Sequence, residues 1–253
     1  MNGSSECSRD AFLGGRLHIF QPRKGYRAGV DPVLLAAATP ATPGQSVLEL
    51  GCGAGVASFC LAARVAGLAL TGVELQGVYA DLARRNAMEN GTEMSVFEAD
   101  LRHLPGAVKE QTFDHVIANP PYYERHRSTA SDDAGRDVAL AGATPLSDWI
   151  DAATRRLKPK GYLTMIQKAD RLPDIMAACD ARLGSLRVRP VQPRAGRAAE
   201  LVILQARKGG RAAFVLDAPL VMHEGASHKY DCDDYTSQVV KILRGGDALP
   251  WGT

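Results

Sequence analysis

Apolar positions along this chain recur with two periods, and the period changes from segment to segment. Residues 14–27, "GGRLHIFQPRKGYR", alternate apolar and polar side chains around a Gln-Pro pair, which predicts a short hairpin turning at Gln21-Pro22. In 29–39, "GVDPVLLAAAT", Asp31 has the side chain of a helix N-cap, Pro32 suits the first helical position, and the apolar run behind them suits a helix. Apolar strands are expected at roughly 47–51, 68–75, 94–100 and 113–119. Between them, 56–66 and 76–91 carry helical spacing, the second segment closed by Gly91.

A helix is predicted over 145–161, stopped by Pro159 and Gly161, then a strand at 162–168 and a helix at 172–184. Residues 186–193 and 199–207 read as two strands joined by a basic turn, 212–224 as extended chain, and 233–246 as an amphipathic close. Alternating strands and helices followed by a strand pair predict an α/β fold, a mostly parallel sheet with an antiparallel edge. Residues 1–45 are expected to form an N-terminal hairpin and cap helix, and 46–253 the main domain, with a C-terminal extension from about 207. The polar stretch 123–144 reads as a long loop, a kind that in compact domains is often functional.

With 253 residues, 45% of them hydrophobic, the chain has enough material for one core with an elaboration. A net charge of +2 does not by itself demand a polyanionic partner. Five cysteines, an odd number without a CxxC pair, fit a reducing cytoplasm, and the polar opening "MNGSSECSRD" has no signal-peptide core. Its apolar runs are far shorter than the roughly 20 residues that cross a bilayer, so no membrane association is expected.

Candidate chemistry starts in "LELGCGAGVA". Gly51, Gly53 and Gly55 stand where a strand meets a helix, so the backbone turns tightly and a ligand approaches without meeting a Cβ. Glu74, at the next strand end, is placed to accept hydrogen bonds from ribose hydroxyls. The spacing is G-x-G-x-G, with Glu49 two residues ahead, and a carboxylate there suits a ligand carrying an ammonium and a sulfonium better than a pyrophosphate. Asp100, at the end of the third strand, is placed to reach an adenine amino group.

The fourth strand runs into Asn119-Pro120-Pro121-Tyr122. An exocyclic amine on a base, or a side-chain amide, is a poor nucleophile because its lone pair is delocalised. Two acceptors aimed at its two N–H bonds favour a pyramidal nitrogen whose lone pair is free to attack. The Asn119 side-chain carbonyl and the Pro120 backbone carbonyl suit that task, the prolines stiffen the turn, and Tyr122 offers a stacking face worth about 1–3 kcal/mol for a base.

In their order, "VLELGCGAG", "TGVEL", "FEAD" and "NPPY" resemble the successive motifs of class I S-adenosylmethionine-dependent methyltransferases. The resemblance covers roughly residues 25–170 and implies a Rossmann-like fold with a mostly parallel seven-stranded sheet and helices on both faces. It further implies S-adenosyl-L-methionine as cofactor. Glu49, Gly51, Gly53 and Gly55 would surround its methionine part, Glu74 with Leu75 beside it would hold the ribose, and Asp100 with Leu101 would flank the adenine. In the resembling enzymes the tetrapeptide marks methylation of a nitrogen conjugated to a π system.

The opening "GRLHIFQPRKGYRAGVDPVLLAAA" and the segment "ARRNAMENG" resemble the bacterial group that methylates adenine N6 beside the anticodon of a valine tRNA. This implies tRNA as the partner and places Tyr26 and Asp31 at the border of the cofactor pocket. Arginines and lysines gathered between Arg182 and Arg211, with Arg23, Lys24 and Arg27, suit a phosphate backbone, and Arg125, His126 and Arg127 suit closure over a splayed-out base. Alternatives are methylation of a release-factor glutamine, which uses the same tetrapeptide, methylation of ribosomal RNA guanine N2, and a cofactor binder that has lost catalysis. Only about 45 residues precede "SVLELG", too few for the helical domain release-factor enzymes usually carry, and no duplicated domain supports the guanine reading. His223, Glu224, His228 and Cys232 have a spacing one residue longer than the helical zinc pattern, so no metal site is expected. Trp149 reads as helix core, Cys52 as a packing residue, and both monomer and homodimer remain open.

Overall fold

Every backbone donor and acceptor of a buried strand needs a partner, and the strand Ser46–Leu50 (β3) finds them on both sides. In the computed structural model, which describes residues 7–122, 144–225, 227 and 233–252, β3 pairs in parallel with Ala69–Glu74 (β4) and Phe113–Ala118 (β6). Outside these, Met94–Glu98 (β5) pairs in parallel with β4, and Leu157–Lys168 (β7) with β6. Leu201–Lys208 (β9) runs antiparallel to β7, and Leu183–Arg194 (β8) antiparallel to β9. These seven strands are the expected sheet with its antiparallel edge.

Among the described residues the sheet has nine strands rather than seven. Val215–Leu216 (β10) and Leu220–His223 (β11) both pair in parallel with β8, β10 against Arg187 and Val188 and β11 from Val191 to Arg194. Without them, the twelve residues of β8 would leave a long outer edge of unsatisfied groups. Other expectations need correction as well: the helix from Leu172 ends at Ala178, and by Leu183 the chain is already in β8. The helix Leu146–Arg156 stops before Pro159, and Leu157–Gly161 already belongs to β7, joined across a register shift between Phe113 and His115. The amphipathic close is one α-helical turn, Ser237–Val240, continued as a π turn, Lys241–Gly245.

Strand residues alternate between two apolar layers, which is why the strands read as continuous hydrophobic runs. Val47, Ile117, Ile166 and Ile203 face one layer, with Asp31–Ala38 (α1) and Val56–Arg64 (α2). Leu48, Leu50, Val116, Met165 and Leu204 face the other, with Trp149 and Ile150. At the end of α1 the carbonyls of Ala36 and Thr39 accept from Arg64, that of Ala37 from the Leu249 N–H, and that of Ala38 from Trp251 Nε1. A helix end that would otherwise bury orphan acceptors is thereby closed.

Cys7–Phe12 (β1) and Leu17–Pro22 (β2) form the hairpin, but they turn at Leu13–Gly15. Leu13, Gly14 and Gly15 all have positive φ there, and the Leu13 side chain is buried. Pro22, expected in the turn, closes β2 opposite Cys7. The polar run before Phe12 had no apolar period to reveal β1.

Candidate active site

The glycine turn after β3 is built by exclusion. Gly51 has φ +63°, and a Cβ on it would lie 2.4 Å from Cη2 of Trp149. Gly53 has φ +53° and nothing within 4 Å of the corresponding point, so its face stays open. The Gly53 N–H donates to Glu74 at 2.9 Å, and the Gln76 N–H donates to the other Glu74 oxygen, also at 2.9 Å. Backbone therefore fixes the Glu74 carboxylate from both ends and leaves each oxygen a further lone pair. Gly55 caps α2 and packs on Phe59, outside the lining of the cavity described below.

Glu49 is 3% exposed, and one of its oxygens accepts from the Ser58 N–H at 3.1 Å and the Ser58 hydroxyl at 2.5 Å. Burial pushes its carboxyl up to about 8, against the pull of the Ser58 bonds and with a further push from Glu74. Cys52, between the first two glycines, is buried with its thiol pushed well up by that burial, which suits packing and not nucleophilic chemistry.

Two asparagines, one turn apart on Gly77–Glu89 (α3) and just beyond it, moor the hairpin. Asn86 accepts from the Phe20 N–H at 2.7 Å and donates to the carbonyls of Phe20 and Ala54 at 3.1 and 3.0 Å. Asn90 accepts from the His18 N–H at 3.0 Å and donates to its carbonyl at 2.9 Å. Each amide thus substitutes for a missing ladder partner at alternate residues of β2. Beyond β2, the Tyr79 hydroxyl accepts from the Tyr26 N–H at 2.9 Å and donates to its carbonyl at 3.1 Å, which holds Tyr26 at the site.

Asn119 through Tyr122 meet this frame at the end of β6. The Asn119 amide nitrogen donates to the Tyr26 hydroxyl at 3.4 Å, while its Oδ1 is buried and has no hydrogen-bond partner among the described residues. The Pro120 carbonyl accepts from Gln167 Nε2 at 3.2 Å. Tyr122 donates to Asp31 at 2.8 Å. Asp31 is therefore not a helix cap: Val30 holds that position and no side chain caps the helix. Burial pushes the Asp31 carboxyl up against the pull of the Tyr122 bond, and burial also raises the Tyr122 phenol, with the Asp31 charge adding to it.

These groups surround a cavity of about 470 Å³, within the usual range for small-molecule sites. Tyr26, Gly51, Gly53, Glu74, Leu75, Asp100, Leu101, Asn119, Pro120, Pro121 and Tyr122 line it, together with Tyr79 and Trp149. Glu49 lines a recess of about 40 Å³ that shares Tyr26, Gly51, Gly53, Tyr79 and Asn119 with the cavity. Asp31 is not among the lining residues and reaches the site through its bond to Tyr122. Asp100 accepts from Arg102 through its backbone N–H and its guanidinium, with the closest contact at 2.6 Å, and these bonds hold its carboxyl below the usual range. Trp149, Tyr79 and Gln167 went unsuspected in the sequence; only a helical aromatic spacing pointed to Trp149, and it pointed to core.

The basic run does not form one face of free cations. Arg182 pairs with Asp180 and Asp151, Arg187 and Arg189 converge on Asp217, and Arg194 pairs with Asp234. Arg207, opposite Tyr162, and Lys208, opposite Leu183, lie at the strand end away from the cavity. Arg194 and the exposed Arg197 lie at the same sheet edge as Lys168 and Asn119. Arg23 and Lys24 are exposed, and Arg27 is tied to Asp10. Arg125, His126, Arg127, Tyr123, His228 and Cys232 lie outside the described residues. His223 bonds to Asp234 at 2.6 Å and stacks on Tyr235. No described helix is long and apolar enough to cross a membrane.

The family model described as methyltransferase small domain matches residues 30–179. A tRNA1(Val) (adenine(37)-N6)-methyltransferase of Porphyromonas gingivalis is 31% identical over 193 residues, 72% of this chain and 75% of that protein. The protein of the same name from Aeromonas hydrophila is 28% identical, over 78% of this chain and 84% of its own length. Among solved structures, a predicted O-methyltransferase from Agrobacterium tumefaciens aligns with a TM-score of 0.70 at 30% identity, covering 88% of this chain and all of that one. A 16S rRNA guanine-N2 methyltransferase from T. thermophilus, in complex with AdoMet and guanosine, shares the fold at a TM-score of 0.55 and 19% identity, over 80% of this chain and 50% of that one.

Proposed function

We propose that this chain, which belongs to the methyltransferase small domain family and is an S-adenosylmethionine-dependent methyltransferase, methylates the N6 amine of an adenine in tRNA. The observation that carries the reading is Asn119 Oδ1, a buried acceptor with no donor among the described residues, beside the Pro120 carbonyl in a cavity lined by Tyr122. A buried acceptor left unpaired is costly, and an incoming N–H removes that cost.

The residues present fit the cofactor. Gly51 and Gly53 leave backbone accessible, Glu74 has spare lone pairs, and Glu49 stands in a recess too small for anything but the end of a ligand. Glu49 suits the cationic methionine end, Glu74 the ribose hydroxyls, and Leu75 and Leu101 the faces of a flat base. Asp100, held by Arg102, edges that base. Asp31 borders the site by holding Tyr122, and Gly55 shapes the turn into α2.

When bound, S-adenosylmethionine supplies an electrophilic methyl group on a cationic sulfur. Asn119 and Pro120 each accept one N–H of the target amine and so draw its lone pair out of the ring. Tyr122, its hydroxyl fixed by Asp31, presents a face for the base to stack on. The cofactor would supply the methyl group and keep the S–C electron pair, while Asn119 and Pro120 would hold the surplus amine proton in a hydrogen bond until it passes to water. No strong base is needed, because the proton becomes acidic only as the new N–C bond forms.

The relatives named for adenine(37)-N6 methylation of tRNA1(Val) support this choice of nitrogen and of RNA. Lys168 and Arg197, at the strand ends on the Asn119 side of the sheet, and the exposed Arg23 and Lys24 suit the phosphates of that partner. The test is to offer methyl-labelled S-adenosylmethionine with unmodified bacterial tRNA, ribosomal RNA and release factor in separate reactions. Label in tRNA is expected; label in release factor alone overturns the reading.

A further inference from the structure

Two consecutive prolines create a mechanical problem at the centre of this site. Pro120 and Pro121 have no backbone N–H, so across both residues the loop can be gripped from outside only by its carbonyls. The grip on Pro120 comes from β7. Gln167 is 2% exposed and follows the apolar Met165 and Ile166, where an amide is costly unless it is hydrogen-bonded. It makes both kinds of bond: Oε1 accepts from the Lys168 N–H at 2.8 Å, and Nε2 donates to the Pro120 carbonyl at 3.2 Å. A backbone N–H can only donate, so Lys168 dictates which end of the amide is oxygen and turns the nitrogen toward Pro120.

We propose that Gln167 is a positioning residue for methyl transfer: by occupying one lone pair of the Pro120 carbonyl it sets the direction of the other, which accepts the substrate N–H. The inference rests on the function proposed above. Gln167 is not among the residues that line the cavity, and its effect passes through one carbonyl oxygen. Misdirecting that acceptor weakens the pyramidal amine near the transition state more than it weakens binding of the planar base.

Gln167→Leu and Gln167→Glu test this. The leucine variant is expected to lower kcat between about 10- and 100-fold, the scale of a small misplacement at a reacting group. KM for tRNA and the Kd of S-adenosylhomocysteine should stay within about twofold, as expected for an interaction used mainly in the transition state. The glutamate variant supplies a pH signature. Protonated, its carboxyl donates to Pro120 while the other oxygen accepts from Lys168; ionised, it sets a charge against the Pro120 carbonyl. Its kcat relative to wild type should therefore fall as pH rises, whereas the ratio for the leucine variant stays flat.

A leucine variant with wild-type kcat, or a glutamate variant that tracks wild type at every pH, overturns the inference. Should Gln167→Leu fail to fold, as thermal unfolding would show, the glutamate profile decides alone. If wild type labels release factor instead of tRNA, the proposed function falls, and the same variants are scored on that acceptor.

Discussion

Glu49 gives cofactor binding a proton signature that follows from where the side chain sits. Its carboxyl, 3% exposed, is pushed up to about 8, so at pH 7 it is about 90% protonated in the free protein. A bound ammonium or sulfonium favours the ionised form and expels that proton. Binding S-adenosylmethionine at pH 7 should then release up to about one proton from this group, and roughly half as much at pH 8. By linkage, the apparent association constant rises up to about tenfold per pH unit below 8 and levels off above it. The assay is isothermal titration calorimetry in two buffers of different ionisation enthalpy at each pH. Any titration of the cofactor's own amine is common to all variants, so the difference between wild type and Glu49→Gln isolates the carboxyl. Equal proton release in the two proteins would refute the reasoning. The same shift affects folding: between 4.5 and 8 the folded chain holds a proton the unfolded chain has lost, so this group's contribution falls as pH rises across that window.

Asn86→Ala removes three hydrogen bonds and strands the buried Ala54 carbonyl and the half-buried backbone groups of Phe20, so a loss of about 2–4 kcal/mol by denaturant unfolding is expected. Gly51→Ala places a methyl 2.4 Å from the Trp149 ring at a positive φ, and should weaken S-adenosylhomocysteine binding at least about tenfold by calorimetry. Asp31→Ala and Tyr122→Phe each break the same 2.8 Å bond, so their effects on kcat should be strongly non-additive in a double-mutant cycle; simple additivity would mean the pair does not act as a unit.

What was legible in the sequence was local. The glycine turn, the acids at successive strand ends and the tetrapeptide are each contiguous, and their chemistry follows from residue type and strand alternation. The parallel pairing of the strands through β7 follows from the alternation of strands with helices. Gln167 and Trp149 were hidden because their meaning depends on which strand or turn lies beside them: a glutamine ending an apolar strand and a tryptophan on an amphipathic helix both look like structure. Asp31 misled for the same reason, since a helix-start aspartate before proline fits a cap, and only the tertiary approach of Tyr122 takes it elsewhere. The asparagines of "ARRNAMENG" read as helix, although their spacing of four matches alternate residues of a facing strand. Charge was the weakest guide, because counting arginines on β8 ignored the aspartates folded against them.

The central claim is that Asn119 and Pro120 activate an adenine N6 amine, and nucleoside mass spectrometry tests it most directly. Unmodified tRNA treated with S-adenosylmethionine and wild-type protein, then digested, should yield N6-methyladenosine; Asn119→Ala should yield none while still binding S-adenosylhomocysteine more tightly than Glu74→Ala does. A methyl group found on guanine N2, or N6-methyladenosine at the wild-type rate from Asn119→Ala, would contradict the account.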